Sequence, residues 1–420
     1  MTPKELLEHI QSGPDEIELD FALCFRPRSR SNEYDDFNDL LQALRSNQTI
    51  RVVECHSHKS LGITESEWCR LLLAFASILC LKNLVVAWEN GSLDFHPLQV
   101  IAESVDSASS LEELFIASFG SDPADPIGEV TLAQSLRHHG TLKDLNLWAR
   151  TQTTTRIPLI IEAAVSSSSV RRVVCMNQTL SPQDIRSLVR SPSLKELKLE
   201  GSVDSWLVVA EEIRNGRFHL EELALTRTLI SCTLATTEAL KAMIAALGCD
   251  SSLRKLVLGS TTGFTDQMGV ALAKALTVNT TLREIHLSSA YKTVDGLESE
   301  RPLDHLDVAS YKAFALMAKT NTAITMGLPL LKSDASDETR MQRDRLHIEG
   351  FMNEAGRGRL VTSSTTTRTE WVNALDILND STAEEDGPEF HLSCLYSMLQ
   401  LNPSIFLGDF TAPAAGAPSV

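Results

Sequence analysis

Apolar residues recur along this chain in a fixed hexamer, apolar-x-x-apolar-x-apolar, usually after a short turn of Ser, Thr, Asn or Gly. Nine copies are present: IRVVEC from Ile50, LKNLVV from Leu81, LEELFI from Leu111, LKDLNL from Leu142, VRRVVC from Val170, LKELKL from Leu194, LEELAL from Leu220, LRKLVL from Leu253 and LREIHL from Leu282. Successive starts differ by 31, 30, 31, 28, 24, 26, 33 and 29 residues, a period that marks a repeat architecture. Segments of helical period lie between the copies. In TDQMGVALAKAL, Met268, Leu272 and Leu276 fall on one face at four-residue intervals. In SPQDIRSLVR, Ser181 is placed to cap a helix, with Pro182 at its first position and Asp184 closing a capping box.

Within each hexamer the second and third apolar residues alternate with polar ones, as a half-buried strand requires. One strand–helix pair cannot bury its apolar faces alone, so neighbours must stack. A strand joined through a helix to the next parallel strand coils right-handedly. Helices are wider than the strand spacing of about 4.8 Å, so the stack is expected to curve with strands on the inside. The expected fold is an α/β solenoid shaped as a horseshoe, with a parallel concave sheet and helices on the convex side. Residues 50–331 form the array, 1–49 an N-terminal cap with a divergent first repeat, 332–410 an α-rich C-terminal cap with polar loops, and 411–420 a disordered tail.

In the first cap EIELDF (16–21) alternates as a strand with Ile17 and Leu19 inward, and FNDLLQALRSN (37–47) has helical spacing. An F-box reading of this region is disfavoured, because no Pro precedes a suitable apolar helix. Beyond Leu287 a polar insertion (288–307) precedes the helix VASYKAFALMAKTN and a degenerate strand near Ile324 to Leu330. VTSSTTTRTE and DSTAEEDGPE read as loops, and EWVNALDILND and FHLSCLYSMLQ as helices.

The LxxLxL strand, the period near 28–29 and the full return helix resemble ribonuclease-inhibitor-type leucine-rich repeats, with 265–287 the nearest single match. NEAGRGRL, TEWVNAL and LSCLYSMLQLNPSIF together resemble the C-terminal module of uncharacterised algal leucine-rich-repeat proteins. The first resemblance implies a protein-binding solenoid and an Asn or Cys ladder three residues after each hexamer. Glu89, Phe119, Arg150, Gln178, Ser202, Thr228, Thr261 and Ala290 stand there instead, so the ladder reads as degenerate and the loops as less rigid. One branch of the class regulates enzymes as a GTPase activator, through a polar side chain on a strand-end loop. Arg150 is the candidate for that role here.

Strand residues pointing away from the helices should line the concave face. Val85, Phe115, Trp148, Val174 and Met176 cluster there on the second to fifth repeats, with Trp88 one residue further along its strand. Large apolar groups at solvent-facing positions mark an interaction surface, and Trp is enriched at binding hot spots; the alternatives are that a loop or the C-terminal region covers them, or that a register one residue off turns them inward. Glu113 and Asp144 belong to a flanking acidic column that continues through Glu196, Glu222 and Glu284 and is broken by Arg172 and Lys255. A column of this kind suits a basic protein partner, and equally reads as a solvated face.

Composition narrows the function classes. With 43% hydrophobic and 22% charged residues, the chain is that of an ordinary folded protein. The net charge of −17, from 55 acidic and 38 basic residues, repels phosphate, so neither nucleic acid nor a membrane is the expected partner. The longest apolar run, Leu71 to Leu81, is too short for a span. Eight cysteines without a CxxC pair, and an N-terminus that does not read as a secretory signal, point to the cytoplasm, with the nucleus as the alternative.

Cys55-His56-Ser57-His58, near Cys69 and Cys80, is the one group reminiscent of a metal site. Alternation turns Cys55 inward and His56 outward, which opposes tetrahedral ligation. His138 and His139 end a helix, where imidazoles suit its dipole. Residues 355–359 (AGRGR) lack phosphate-loop spacing, and no GxSxG, HExxH or kinase signature occurs. The chain reads as a non-enzymatic scaffold that needs no cofactor or metal.

Overall fold

The computed structural model describes the strands, helices and short turns between residues 8 and 354. Most of residues 1–32, residues 58–64, 89–96, 119–125, 154–156, 227–233, 260–264 and 328–335, much of 289–307, and everything after 354 lie outside the described residues. With them lie the expected loops and helices of the C-terminal region and several expected ladder positions, Glu89, Phe119, Thr228, Thr261 and Ala290 among them. The chain forms two compact units, Met1–Thr226 and Arg227–Val420.

In the first unit the strands are β1 (Glu16–Asp20), β2 (Val52–Ser57), β3 (Asn83–Trp88), β4 (Glu113–Ser118), β5 (Asp144–Thr153), β6 (Arg172–Gln178), β7 (Glu196–Glu200) and β8 (Glu222–Thr226). Between them run α1 (Glu33–Ser46), α2 (Glu65–Ala76), α3 (Pro97–Ser107), α4 (Pro126–His138), α5 (Pro158–Ser166), α6 (Pro182–Arg190) and α7 (Val203–Arg214). Each strand pairs in parallel with the next in sequence. The expected EIELD strand is the first of them, with Ile17 in register with Val53 and Leu19 with Cys55.

The second unit holds α8 (Leu234–Ala246), β9 (Lys255–Gly259), α9 (Asp266–Val278), β10 (Glu284–Ser288), α10 (Val308–Thr320), β13 (Thr325–Gly327) and α11 (Asp337–Glu354). β10 pairs in parallel with both β9 and β13, while β11 (Tyr291–Lys292) and β12 (Glu298–Ser299) form a separate antiparallel pair inside the polar insertion. Parallel strands alternating with helices in an open sheet make each unit an α/β leucine-rich-repeat solenoid.

The hexamer explains the packing. Leu84, Leu114, Leu145, Val173, Leu197 and Leu223 are in register on successive strands and buried, as are Val86, Ile116, Leu147, Cys175, Leu199 and Leu225. The first residue of the hexamer, from Ile50 to Leu282, is buried in all nine copies. The helices match their sequence signals. Ser181 caps α6 in a full capping box with Asp184, and Met268, Leu272 and Leu276 are the buried stripe of α9.

The residue after the first apolar position fastens each repeat to the next. The Lys82 carbonyl accepts the Glu112 and Glu113 amides at 2.7 and 2.9 Å, and Glu112, Lys143 and Arg171 repeat the arrangement along the unit. A side-chain ladder reinforces it, on the side of the strand opposite to the one the sequence resemblance implied. It sits three residues before the hexamer, where the helix ends; most positions three residues after the hexamer lie outside the described residues. Asn279, at 3% exposure, donates to the Leu247 and Cys249 carbonyls and accepts the Thr281 and Leu282 amides. Asn321 and Asn353 donate to carbonyls in the same manner. In the first unit Asn47 and His139 hold the equivalent place, and the His139 imidazole accepts the Leu142 amide at Nδ1. The Ser110, Thr141 and Ser169 hydroxyls add donors to carbonyls of the preceding repeat. The turns entering the strands are thus tied down, and His139, just beyond the end of α4, takes part in one of them.

Gly269 marks where α9 and α10 touch. A Cβ there would stand 2.2 Å from Ser310 Oγ and 2.8 Å from Ser310 Cβ. Ser310 is fully buried and fixed by Asp266, whose Oδ1 accepts its amide and whose carbonyl accepts its hydroxyl. Gly269→Ala should therefore force the helices apart and cost about 1–3 kcal/mol. A urea titration of the variant, expected to show a lower midpoint, checks it.

Candidate protein-binding face

Alternation along β3–β8 builds one sheet face in three rows. Asn83, Glu113, Asp144, Arg172, Glu196 and Glu222 form the row at the strand starts. Val85, Phe115, Asn146, Val174, Lys198 and Ala224 form the middle row. Ala87, Ala117, Trp148 and Met176 continue it toward the strand ends. The register is the one the hexamer predicts.

Phe115 and Trp148 meet across neighbouring strands, with ring centroids 5.5 Å apart and planes tilted by 44°. Both remain partly exposed, as do Val85 and Met176. Two residues expected on the surface are buried instead. Trp88, at 4% exposure, shares the side of Leu84 and Val86, because period-two alternation turns it into the core. Val174, at 3%, has the right parity, but it is a short side chain between longer neighbours, Asn146 and Lys198. The accessible apolar centre is therefore Val85, Phe115, Trp148 and Met176.

The row at the strand starts is less acidic in effect than in sequence. Glu113 accepts hydrogen bonds from Asn83 Nδ2 at 3.0 Å and Asn146 Nδ2 at 2.9 Å. Arg172 pairs with Glu196 at 3.3 Å, and in the second unit Lys255 pairs with Glu284 at 3.1 Å. Just before β4, Glu112 bridges Lys143 and Lys82, whose hydrogen bonds pull its carboxyl down to about 2. Asp144 behaves differently. Burial pushes its carboxyl up against the opposing pull of Arg172 and Lys143, and among the described residues its side chain has no hydrogen-bond or ion-pair partner.

β5 outlasts its neighbours and its register against β6 shifts between Trp148 and Thr153, so Arg150 lies in this irregular stretch. The Arg150 side chain is outside the described residues, as is that of His56. Cys55 occupies the inner strand position, fully buried, with its thiol pushed up by burial. No described helix is long and apolar enough to cross a membrane.

Sequence reasoning missed a charged cluster on the helices. Glu212 of α7 has no exposed side-chain surface, and Arg190 clasps it through two nitrogens at 2.6 and 2.8 Å. Arg217 adds a contact at 3.2 Å and Arg186 one at 3.8 Å. The available signal was Arg186 and Arg190 at one-turn spacing on α6, one repeat before Glu211 and Glu212.

No family model matches the chain, and no curated protein does. Among solved structures, a chain of the Rad7 and Elc1 complex in yeast is similar over 80% of this chain and 82% of its own length, at 15% identity and a TM-score of 0.41. A chain of the TLR13–ssRNA13 complex is similar over 70% of this chain, at 11% identity and a TM-score of 0.30. This chain spans only 50% of that one.

Proposed function

We propose that this protein is a non-catalytic interaction scaffold of the ribonuclease-inhibitor type, acting in the cytoplasm or nucleus and binding a basic protein partner on the concave face of its second to fifth repeats. The observation that carries this reading is the Phe115–Trp148 pair: two large rings in contact on an outward sheet face and still open to solvent. Rings so placed contribute nothing to the helix-packed core and present a preformed anchor, the kind of group that dominates interface energetics. Phe115→Ala together with Trp148→Ala should weaken partner capture at least tenfold and leave helix content and melting close to the parent, since neither side chain lies in the core. Affinity capture from the native cell, followed by titration of the recovered partner against both forms, tests it. Undiminished affinity contradicts the proposed face.

A further inference from the structure

The cations around Asp144 are already committed: Lys143 to Glu112, and Arg172 to Glu196 at 3.3 Å. Asp144 is left as the partly buried carboxylate on this face with no hydrogen-bond or ion-pair contact among the described residues, feeling Arg172 and Lys143 only at longer range. It lies two positions before Asn146 on β5, and Asn146 is in register with Phe115 on β4. Strand spacing and rise then put Asp144 and Phe115 on a diagonal of roughly 8 Å. Phe115 in turn leans on Trp148 at 5.5 Å. The series runs from a carboxylate without a hydrogen-bond or ion-pair contact, across one aromatic ring, to a second. A chain optimised for stability alone would gain by neutralising such a carboxylate.

We propose that this face recognises its partner through one arginine or lysine side chain whose stem crosses the Phe115 ring and whose charge meets the Asp144 carboxylate, with an adjacent apolar residue seated on Trp148. The inference rests on the reading of this face as the partner surface. The stem of an arginine or lysine covers apolar surface while its head stays polar, and a cation near an aromatic ring is attracted by the ring's quadrupole. The head group would complete the pairing that Asp144 lacks within the chain. The net charge of −17 favours approach of a basic segment over an acidic one.

The test is selection of a random phage-displayed peptide library on the full-length protein, on Asp144→Asn and on Asp144→Arg. Wild-type selections should be enriched in Arg or Lys beside an apolar residue. Exchanging that Arg for citrulline should weaken binding to wild type at least tenfold and to Asp144→Asn less than about threefold. Asp144→Arg should shift the enrichment to Asp or Glu. Asp144→Asn should melt at or above the wild type, because it removes a desolvated charge; a lower melting temperature would make Asp144 a structural group and overturn the inference. Peptides that lose binding on Phe115→Ala yet carry no cation, or ignore Asp144→Asn, overturn the inference and leave the binding face standing. Peptides indifferent to both Phe115→Ala and Trp148→Ala remove the face itself. A selection that enriches nothing also counts against recognition of a single side chain.

Discussion

Replacing Asn279 with alanine is expected to destabilise the protein by about 3–5 kcal/mol, the largest loss for any single side chain considered. Asn279 ends α9 at 3% exposure, and its amide satisfies four backbone groups at once. Its Nδ2 serves the carbonyls of Leu247 and Cys249 at 2.8 and 3.1 Å, and its Oδ1 takes the amides of Thr281 and Leu282 at 3.0 and 2.7 Å. Alanine leaves all four without that partner, at about 1–3 kcal/mol for each group that stays dry. Water entering the turn offsets much of the sum, which keeps the total around the lower end of what four groups could cost. Asn279→Asp should also destabilise, since it keeps the acceptor but loses both donors and brings a charge into the buried turn. Denaturant titration of the full chain checks this; a shift below about 1 kcal/mol for Asn279→Ala would mean the ladder is dispensable.

Glu212→Ala is expected to cost about 2–3 kcal/mol. Breaking a buried ion pair by removing one partner costs about 3–5 kcal/mol, because the other charge is left uncompensated. Here the cover over Glu212 is made of arginines that are themselves 38% and 48% exposed, so water can reach the guanidiniums left behind and the loss is smaller. Arg190→Met combined with Glu212→Met should recover much of it. The Arg190 hydrogen bonds hold the Glu212 carboxyl below its usual range, against the opposing effect of burial. Its contribution is therefore complete above the ordinary glutamate value near 4.3 and declines as pH falls through the lower folded-state value. The stability difference between wild type and Glu212→Gln, followed from pH 7 downward, should narrow in that acidic window. A difference that stays constant to pH 2 would contradict the pairing.

The strand register was legible because side-chain period and burial are coupled. Once Leu84 and Val86 are inside, Val85 must face out, and every later copy follows. Trp88 obeys the same rule and is buried, so its size was a poor guide and its parity a good one. The burial of Val174 depends on the height of its lateral neighbours Asn146 and Lys198, which the chain's own periodicity does not encode. The resemblance places a ladder after the strand, at positions that lie mostly outside the described residues. The signal of the described ladder lay before the strand, in Asn47, Asn279 and Asn321, each three residues ahead of a buried Ile or Leu. The quenching of the acidic row could not be read from one strand at a time, because Glu113 is satisfied by Asn83 and Asn146 from the repeats on either side.

The claim that the outward sheet face, and not the helical side, meets the partner is tested most directly by site-specific photo-crosslinking in the native cell. A benzophenone side chain at Val85 or Met176 samples the sheet face, and one at Ile127, a 61% exposed residue of α4, samples the helices. The account predicts one and the same crosslinked protein from Val85 and Met176 and none from Ile127. A partner captured from Ile127 but from neither sheet position would contradict it.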